Sequence, residues 1–249
     1  MEQKYILTKE TKVVHGHTLH RIKSIRDFDN VKNGELGGFI ESETNLSHEG
    51  NAWVYDDAQV YDNARVCGDA EVYGDAEVCG DARVCGDAKV CGNADVYGDA
   101  WVFGNAEVYG DAEVCDNAKV YGNARVFGNA WVYGNAWVCG NAKVFGNARV
   151  FGNAEVCDNA KVYGNARVCG NAEVCGDAKV LSMTDYIVFK NWWSSGRYFT
   201  WTRSNDKWRV GCFYGSGEEL IAKAYKDSET SGREYQRIVE YVENVKHNK

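Results

Sequence analysis

The chain has 249 residues, with 36 acidic against 28 basic side chains and a net charge of −8. That length suits one large domain or two small ones, and no run approaches the roughly eighteen apolar residues that a membrane span needs. The net negative charge disfavours nucleic acid as a direct partner.

From the N-terminus, Met1-Glu2-Gln3-Lys4 leads straight into a strand-like stretch with no apolar leader core, so a secretory signal is not expected and a cytoplasmic location is. Val13-Val14-His15-Gly16-His17-Thr18-Leu19 reads as a hairpin turning at His15-Gly16. Residues 1–50 are expected to form an N-terminal β cap, ending in an irregular first coil.

Residues 51–180 repeat the pattern Asn/Asp-Ala-x-Val-aromatic/Cys-Gly without insertion or deletion. Valine recurs every six residues from Val54 to Val180, 22 times. A period of six is a multiple of two, so each residue keeps its side of a strand, and it does not fit a helix of about 3.6 residues per turn. Valine suits a buried strand position. Gly followed by Asn or Asp supplies a bend, and alanine fits inside a tight corner. Three hexads would close a coil of 18 residues, which predicts an all-β solenoid of about seven coils, about 35 Å long. Proline is absent, as befits a backbone committed to ladders. Nine of the ten cysteines fall at one repeat position, and they are expected to be reduced thiols rather than a disulfide framework.

Residues 181–249 read as a separate, aromatic-rich α+β domain. Strands are expected at 186–193 and 198–201, and at 208–214, pairing back across Ser204-Asn205-Asp206-Lys207. Two amphipathic helices follow, near 217–227 and 230–246. Their apolar faces carry Leu220, Ile221 and Tyr225, then Tyr235, Ile238, Val239 and Val242.

The hexad, an aliphatic residue followed four positions later by a small one, resembles the left-handed β-helix hexapeptide family. The resemblance implies a left-handed, triangular coil. The segment Asp27-Phe28-Asp29-Asn30-Val31-Lys32-Asn33-Gly34-Glu35-Leu36-Gly37-Gly38-Phe39-Ile40-Glu41, continuing to Asn51-Ala52-Trp53-Val54-Tyr55-Asp56, is similar to the opening of uncharacterised hexapeptide-repeat proteins of bacteria and prophages. Some of these are labelled acetyltransferases and others polymer-forming proteins.

Acyltransferases of the β-helix family generally use a histidine base, often in or beside a loop thrown out from a coil. This chain has no histidine between Glu49 and Lys246 and no break of phase in which such a loop could sit. The three coil-face histidines of the related zinc enzymes are missing as well. His15, His17, His20 and His48 remain, with His247 near the end of the chain. A metal site at His15 and His17 is weighed against an exposed polar hairpin, and the hairpin is preferred. His247 is assigned no role. No phosphate loop, dinucleotide fingerprint or nucleophile elbow occurs, so no catalytic residue, metal or cofactor is assigned.

Folding the repeat at 18 residues turns it into three outer faces. Face one carries Tyr55, Tyr73, Cys91, Tyr109, Phe127, Phe145 and Tyr163 beside a column that ends in Arg125, Lys143, Lys161 and Lys179. Stacking along the ladder is preferred to base stacking there. Face two carries Glu77, Asp95, Glu113, Trp131, Arg149 and Arg167. Face three carries Arg65, Arg83, Trp101, Lys119, Trp137, Glu155 and Glu173 beside a Cys/aromatic column centred on Tyr121. Reversed end for end, columns two and three complement themselves. Residues 51–116 hold 15 acids and 3 bases, whereas residues 117–180 hold 4 acids and 7 bases. An antiparallel homodimer is therefore expected, with Arg65, Arg83, Trp101, Tyr121, Trp137, Glu155 and Glu173 at its interface. Tyr73, Tyr109, Phe127, Phe145, Tyr163, Trp192, Trp193 and Trp201 are expected to meet a protein partner.

The leading functional expectation is a non-enzymatic, phage-borne solenoid scaffold for self-association and protein binding. One alternative is an acidic inhibitor that mimics nucleic acid and blocks a host defence protein, suggested by Asp57, Asp69, Asp75, Asp81, Asp87, Asp99 and Asp111 at the corners. Another is a hexapeptide acyltransferase.

Overall fold

The computed structural model describes the backbone of residues 2–247. The hairpin forms as expected: β1 (Tyr5–Val14) and β2 (His17–Ser24) pair antiparallel around His15 and Gly16, and β3 (Leu36–Ile40) pairs antiparallel with β2. His15 takes a left-handed φ of 50° in the turn itself, so it does not share a strand face with His17.

From β3 onward the chain winds as a parallel β-solenoid. Each hexad contributes a strand of two to four residues to one of three sheets, and successive coils stack in register 18 residues apart, as in Val90↔Val108 and Val96↔Val114. The coils number eight, one more than the unbroken hexads predict. Ile40, Leu46 and Val54 line the extra first coil, which is out of phase: Ile40 lies opposite Val60 and Leu46 opposite Val66. Every valine and alanine of the repeat is buried, so the interior is a stack of nearly equal aliphatic layers. Each buried valine stabilises by roughly 1.5–3 kcal/mol, and each coil contacts mainly its neighbours.

The corners explain why aspartate stands in for glycine at Asp56, Asp62, Asp116 and Asp158. Gly110 has φ 77°, and a Cβ built there would lie 3.0 Å from the backbone nitrogen of Gly128. Asp116 takes the same kind of position with φ 57°, and its Oδ2 accepts the Gly134 N–H at 2.9 Å. Aspartate tolerates the left-handed conformation and clips the next coil, whereas bulkier side chains would be strained.

Both ends are closed. At the start, Tyr5, Ile22 and Val31 are buried on the first coils, and Trp53 lies beneath Tyr5 and Phe28. Lys4 is wholly buried, donates to Ala52 O at 2.6 Å, and burial lowers its pKa to about 8. At the far end the recurring bond, such as Lys161 N–H to Ala178 O at 2.8 Å, has no further coil to reach. Side chains beyond residue 180 supply the acceptors instead. Glu173 N–H reaches Thr200 Oγ1 at 2.8 Å, Lys179 N–H reaches Ser204 Oγ at 2.6 Å, and Cys169 N–H reaches Tyr186 Oη at 3.3 Å. The terminal unit thus closes the open strand edge.

That unit is a four-stranded antiparallel sheet, Tyr186–Lys190, Tyr198–Thr202, Lys207–Val210 and Phe213–Gly215, followed by α1 (Gly217–Asp227) and α2 (Glu229–His247). The expected strand at 208–214 is two strands, because Gly211 and Cys212 turn the chain back. Ser216 opens α1 with a reciprocal capping box to Glu219. Phe199, Trp208, Leu220, Val239 and Val242 form a second core, while Tyr225 stays partly exposed and bonds Gln236. Among the described residues no helix is long and apolar enough to cross a membrane.

Candidate functional site

The histidines of the N-terminal cap do not converge on a pocket. His17 is bracketed by two carboxylates, Nδ1 lying 3.1 Å from Glu41 Oε1 and Nε2 3.3 Å from Asp62 Oδ1. The hydrogen bond to Glu41 raises the His17 pKa, and the same bond lowers that of Glu41. His20 Nδ1 lies 3.3 Å from Thr8 O, and His48 stacks on Tyr5 at 4.3 Å. His15 lies 3.9 Å from Glu77 and beside the Tyr61 ring, with centroids 6.5 Å apart. The side chain of His247 lies outside the described residues. His17, Glu41 and Asp62 have donor atoms close enough to share a cation, and so do Cys157, Asp158 and Cys175.

Cys157 and Cys175 are, however, joined as a disulfide, which corrects the expectation that all the cysteines are reduced; eight remain free. Register stacking brings their Cα atoms to 4.7 Å, a distance a disulfide spans. Cys67 and Cys85 occupy the same column on neighbouring coils. The hydrogen bond from Cys85 lowers the Cys67 thiol to about 7, assisted by Arg83 and Arg65.

On face one the aromatic rings use their own faces. Tyr109, Phe127, Phe145 and Tyr163 stack with centroids 4.8, 4.9 and 5.2 Å apart, nearly parallel. Only ring edges point outward, so this ladder offers no platform on which a base could stack. Tyr73 sits in register with Cys91 on the next coil. Lys143, Lys161 and Lys179 lie in register beside the ladder.

Face three holds a shallow groove of about 920 Å³ floored by an alternating column. The Arg83 guanidinium lies 5.0 Å from the Trp101 ring, and Lys119 lies 5.4 Å from Trp101 and 5.2 Å from Trp137. Tyr121 stacks on Phe103 at 4.9 Å. Three features oppose the reversed pairing expected here. Glu173 is already bonded to Arg209 at 3.1 Å, under the C-terminal unit, and so is not free to meet Arg65 of a second copy. Arg197 and Tyr198 also overhang Glu155 and Asn171. The two-fold axis would in addition place Lys119 against its own copy, a repulsive contact.

Face two carries like charges in register in each half. Glu77, Asp95 and Glu113 stack on successive coils, and so do Arg149 and Arg167. Burial first, then Glu77 and Glu113, push the Asp95 carboxyl up to about 6. Arg149 lies 4.8 Å from the ring of Trp131, which is partly exposed between the two sets.

In the C-terminal unit the three expected contact tryptophans part company. Trp192 is 77% exposed. Trp193 packs edge-on against Tyr235 at 5.1 Å. Trp201 is 1% exposed and bonds Asp206 through Nε1 at 2.7 Å, so it is a core residue and cannot meet a partner.

Coil geometry, register and repeat together define a hexapeptide-repeat β-solenoid protein. Residues 58–74, 118–134 and 124–140 match the family described as the YdcK Beta solenoid repeat. The uncharacterized acetyltransferase YdcK of Escherichia coli (strain K12) is 50% identical over 38 residues. That match covers 15% of this chain and 12% of the relative's length.

Proposed function

We propose that the chain is a non-enzymatic scaffold that self-associates as an antiparallel dimer through face two and presents its other faces to a protein partner. The observation that carries this reading is the segregation of stacked carboxylates and stacked guanidiniums on one flat face. Like charges at about 4.8 Å repel within one protomer. A two-fold axis between Glu113 and Trp131 sets Asp95 against Arg149 and Glu77 against Arg167 of a second copy, which relieves both stacks at once. The hairpin covers the start of this face at Tyr61, Cys79 and Glu77, where Glu77 accepts from Tyr61, and Asp95, Glu113, Trp131 and Arg149 lie beyond it. Light scattering behind size exclusion tests the reading. A dimer that dissociates as salt rises supports it, and a monomer at every salt concentration refutes it. We assign the scaffold to the cytoplasm, a placement that the eight free thiols favour and the Cys157–Cys175 bridge opposes.

Acyl transfer is a second reading, suggested by the name of the Escherichia coli relative. His17 would be its base, but both ring nitrogens are engaged by carboxylates that favour the imidazolium, the wrong form for accepting a proton. Turnover of an acyl-CoA that is lost in His17→Ala would establish this reading in place of the scaffold.

A further inference from the structure

The C-terminal unit contains a cavity of about 490 Å³ between the loop around Ser195 and the two helices. Its floor is apolar, formed by Val210, Phe213 and Leu220. Two cations border it. The Lys223 ammonium lies 5.5 Å from the Phe213 ring centroid and the Arg197 guanidinium passes over Gly211, and neither forms an ion pair among the described residues. The one carboxylate on the rim is Asp227, at the end of α1.

Hydroxyls inside the cavity are also left open. Ser231 is 9% exposed, and its backbone N–H bonds Ser228 while its own hydroxyl has no partner among the described residues. Tyr235, also buried, accepts a bond from Asn191 Nδ2 at 3.3 Å, and its own O–H proton has no acceptor there. Both hydroxyls line the open cavity, where a bound acceptor can receive their protons. Cations and hydroxyl donors around an apolar floor match an oxyanion on an apolar body.

We propose that this cavity binds a small organic anion, a carboxylate or a phosphate monoester, with its oxyanion between Arg197, Lys223 and Ser231 and its apolar body on Phe213 and Leu220. The proposal does not depend on the dimer. Phenyl phosphate, benzoate and uncharged benzyl alcohol are titrated into the full chain while amide resonances are followed by NMR. The expected result is saturable shifts at Ser195, Lys223 and Ser231 with at least one of the anions, and the anion that binds more tightly identifies the head group. Arg197→Gln with Lys223→Gln weakens that binding by about tenfold or more, and Ser231→Ala by a smaller factor, with the β-sheet circular dichroism unchanged. No saturable shift with either anion up to about 10 mM, equal shifts with benzyl alcohol, or undiminished affinity in the double variant would overturn the proposal.

Discussion

Arg149 and Arg167 stand side by side in strand register on face two, two guanidiniums with no acidic partner among the described residues. Two coils below Arg149, Glu113 begins a stack of three carboxylates in the same column. The sequence-distant arrangement of these charges, each of which repels its neighbour, is the basis of the dimer account and of the first prediction.

Asp95 lies at the centre of the acidic stack and titrates near 6, above its ordinary value of 3.8. A carboxyl raised on folding contributes stability that is present below 3.8 and lost as pH rises through about 6. Asp95→Asn, in protein diluted to the monomer, should therefore be more stable than the parent at pH 7.5. The gain is on the order of 1 kcal/mol once partial exposure is discounted. It should shrink towards zero as the pH falls to about 4. Denaturant melts across this range would contradict the assignment if the gain were independent of pH.

The corner geometry predicts an order among substitutions at Gly110. Gly110→Val should cost about 2 kcal/mol or more, because a β-branched residue resists the left-handed conformation and crowds Gly128. Gly110→Asp should cost markedly less, since Asp116 and Asp158 already hold such corners at φ 57° and 58°. Equal midpoints for the two variants in chemical denaturation would show that the corner is not what limits them.

The terminal cap rests on bonds such as Thr200 Oγ1 to the Glu173 N–H. Thr200→Val keeps the shape and leaves that N–H without an acceptor, at a cost of about 1–3 kcal/mol. Amide exchange should quicken at Glu173 and in the last coil, and remain unchanged in the middle coils. Uniform acceleration along the solenoid would mean that the cap acts on global stability instead.

Thiol reactivity should follow the local field. Cys67, lowered to about 7 by Cys85 and the flanking arginines, should be alkylated first at neutral pH. Cys79, which burial pushes up to about 11, should react far later. Peptide mass spectrometry after brief iodoacetamide treatment reads the order directly.

The period-six pattern made the solenoid legible because one inward valine per hexad fixes both strand and face. The hairpin at His15-Gly16 and the helix positions were legible for similarly local reasons. What was not legible depends on segments far apart in the chain. An irregular first coil was expected before residue 51, but its lining by Ile40 and Leu46 and their offset from the hexads were not marked. Trp201 reads like an exposed aromatic until the helices cover it. Glu173 looks free in its column until Arg209, 36 residues later, takes it. The bracketing of His17 by Glu41 and Asp62 likewise needs the hairpin to fold back on the coils. Nothing in the hexad pattern marks out the cavity at Arg197 and Lys223.

The antiparallel pairing of Asp95 with Arg149 of a second copy can be probed by a charge swap read by light scattering. A salt-sensitive dimer is expected for the parent chain, monomers for Arg149→Glu alone and for Asp95→Arg alone, and a dimer again when both are combined. A parent that stays monomeric, or a dimer indifferent to either single substitution, would contradict it.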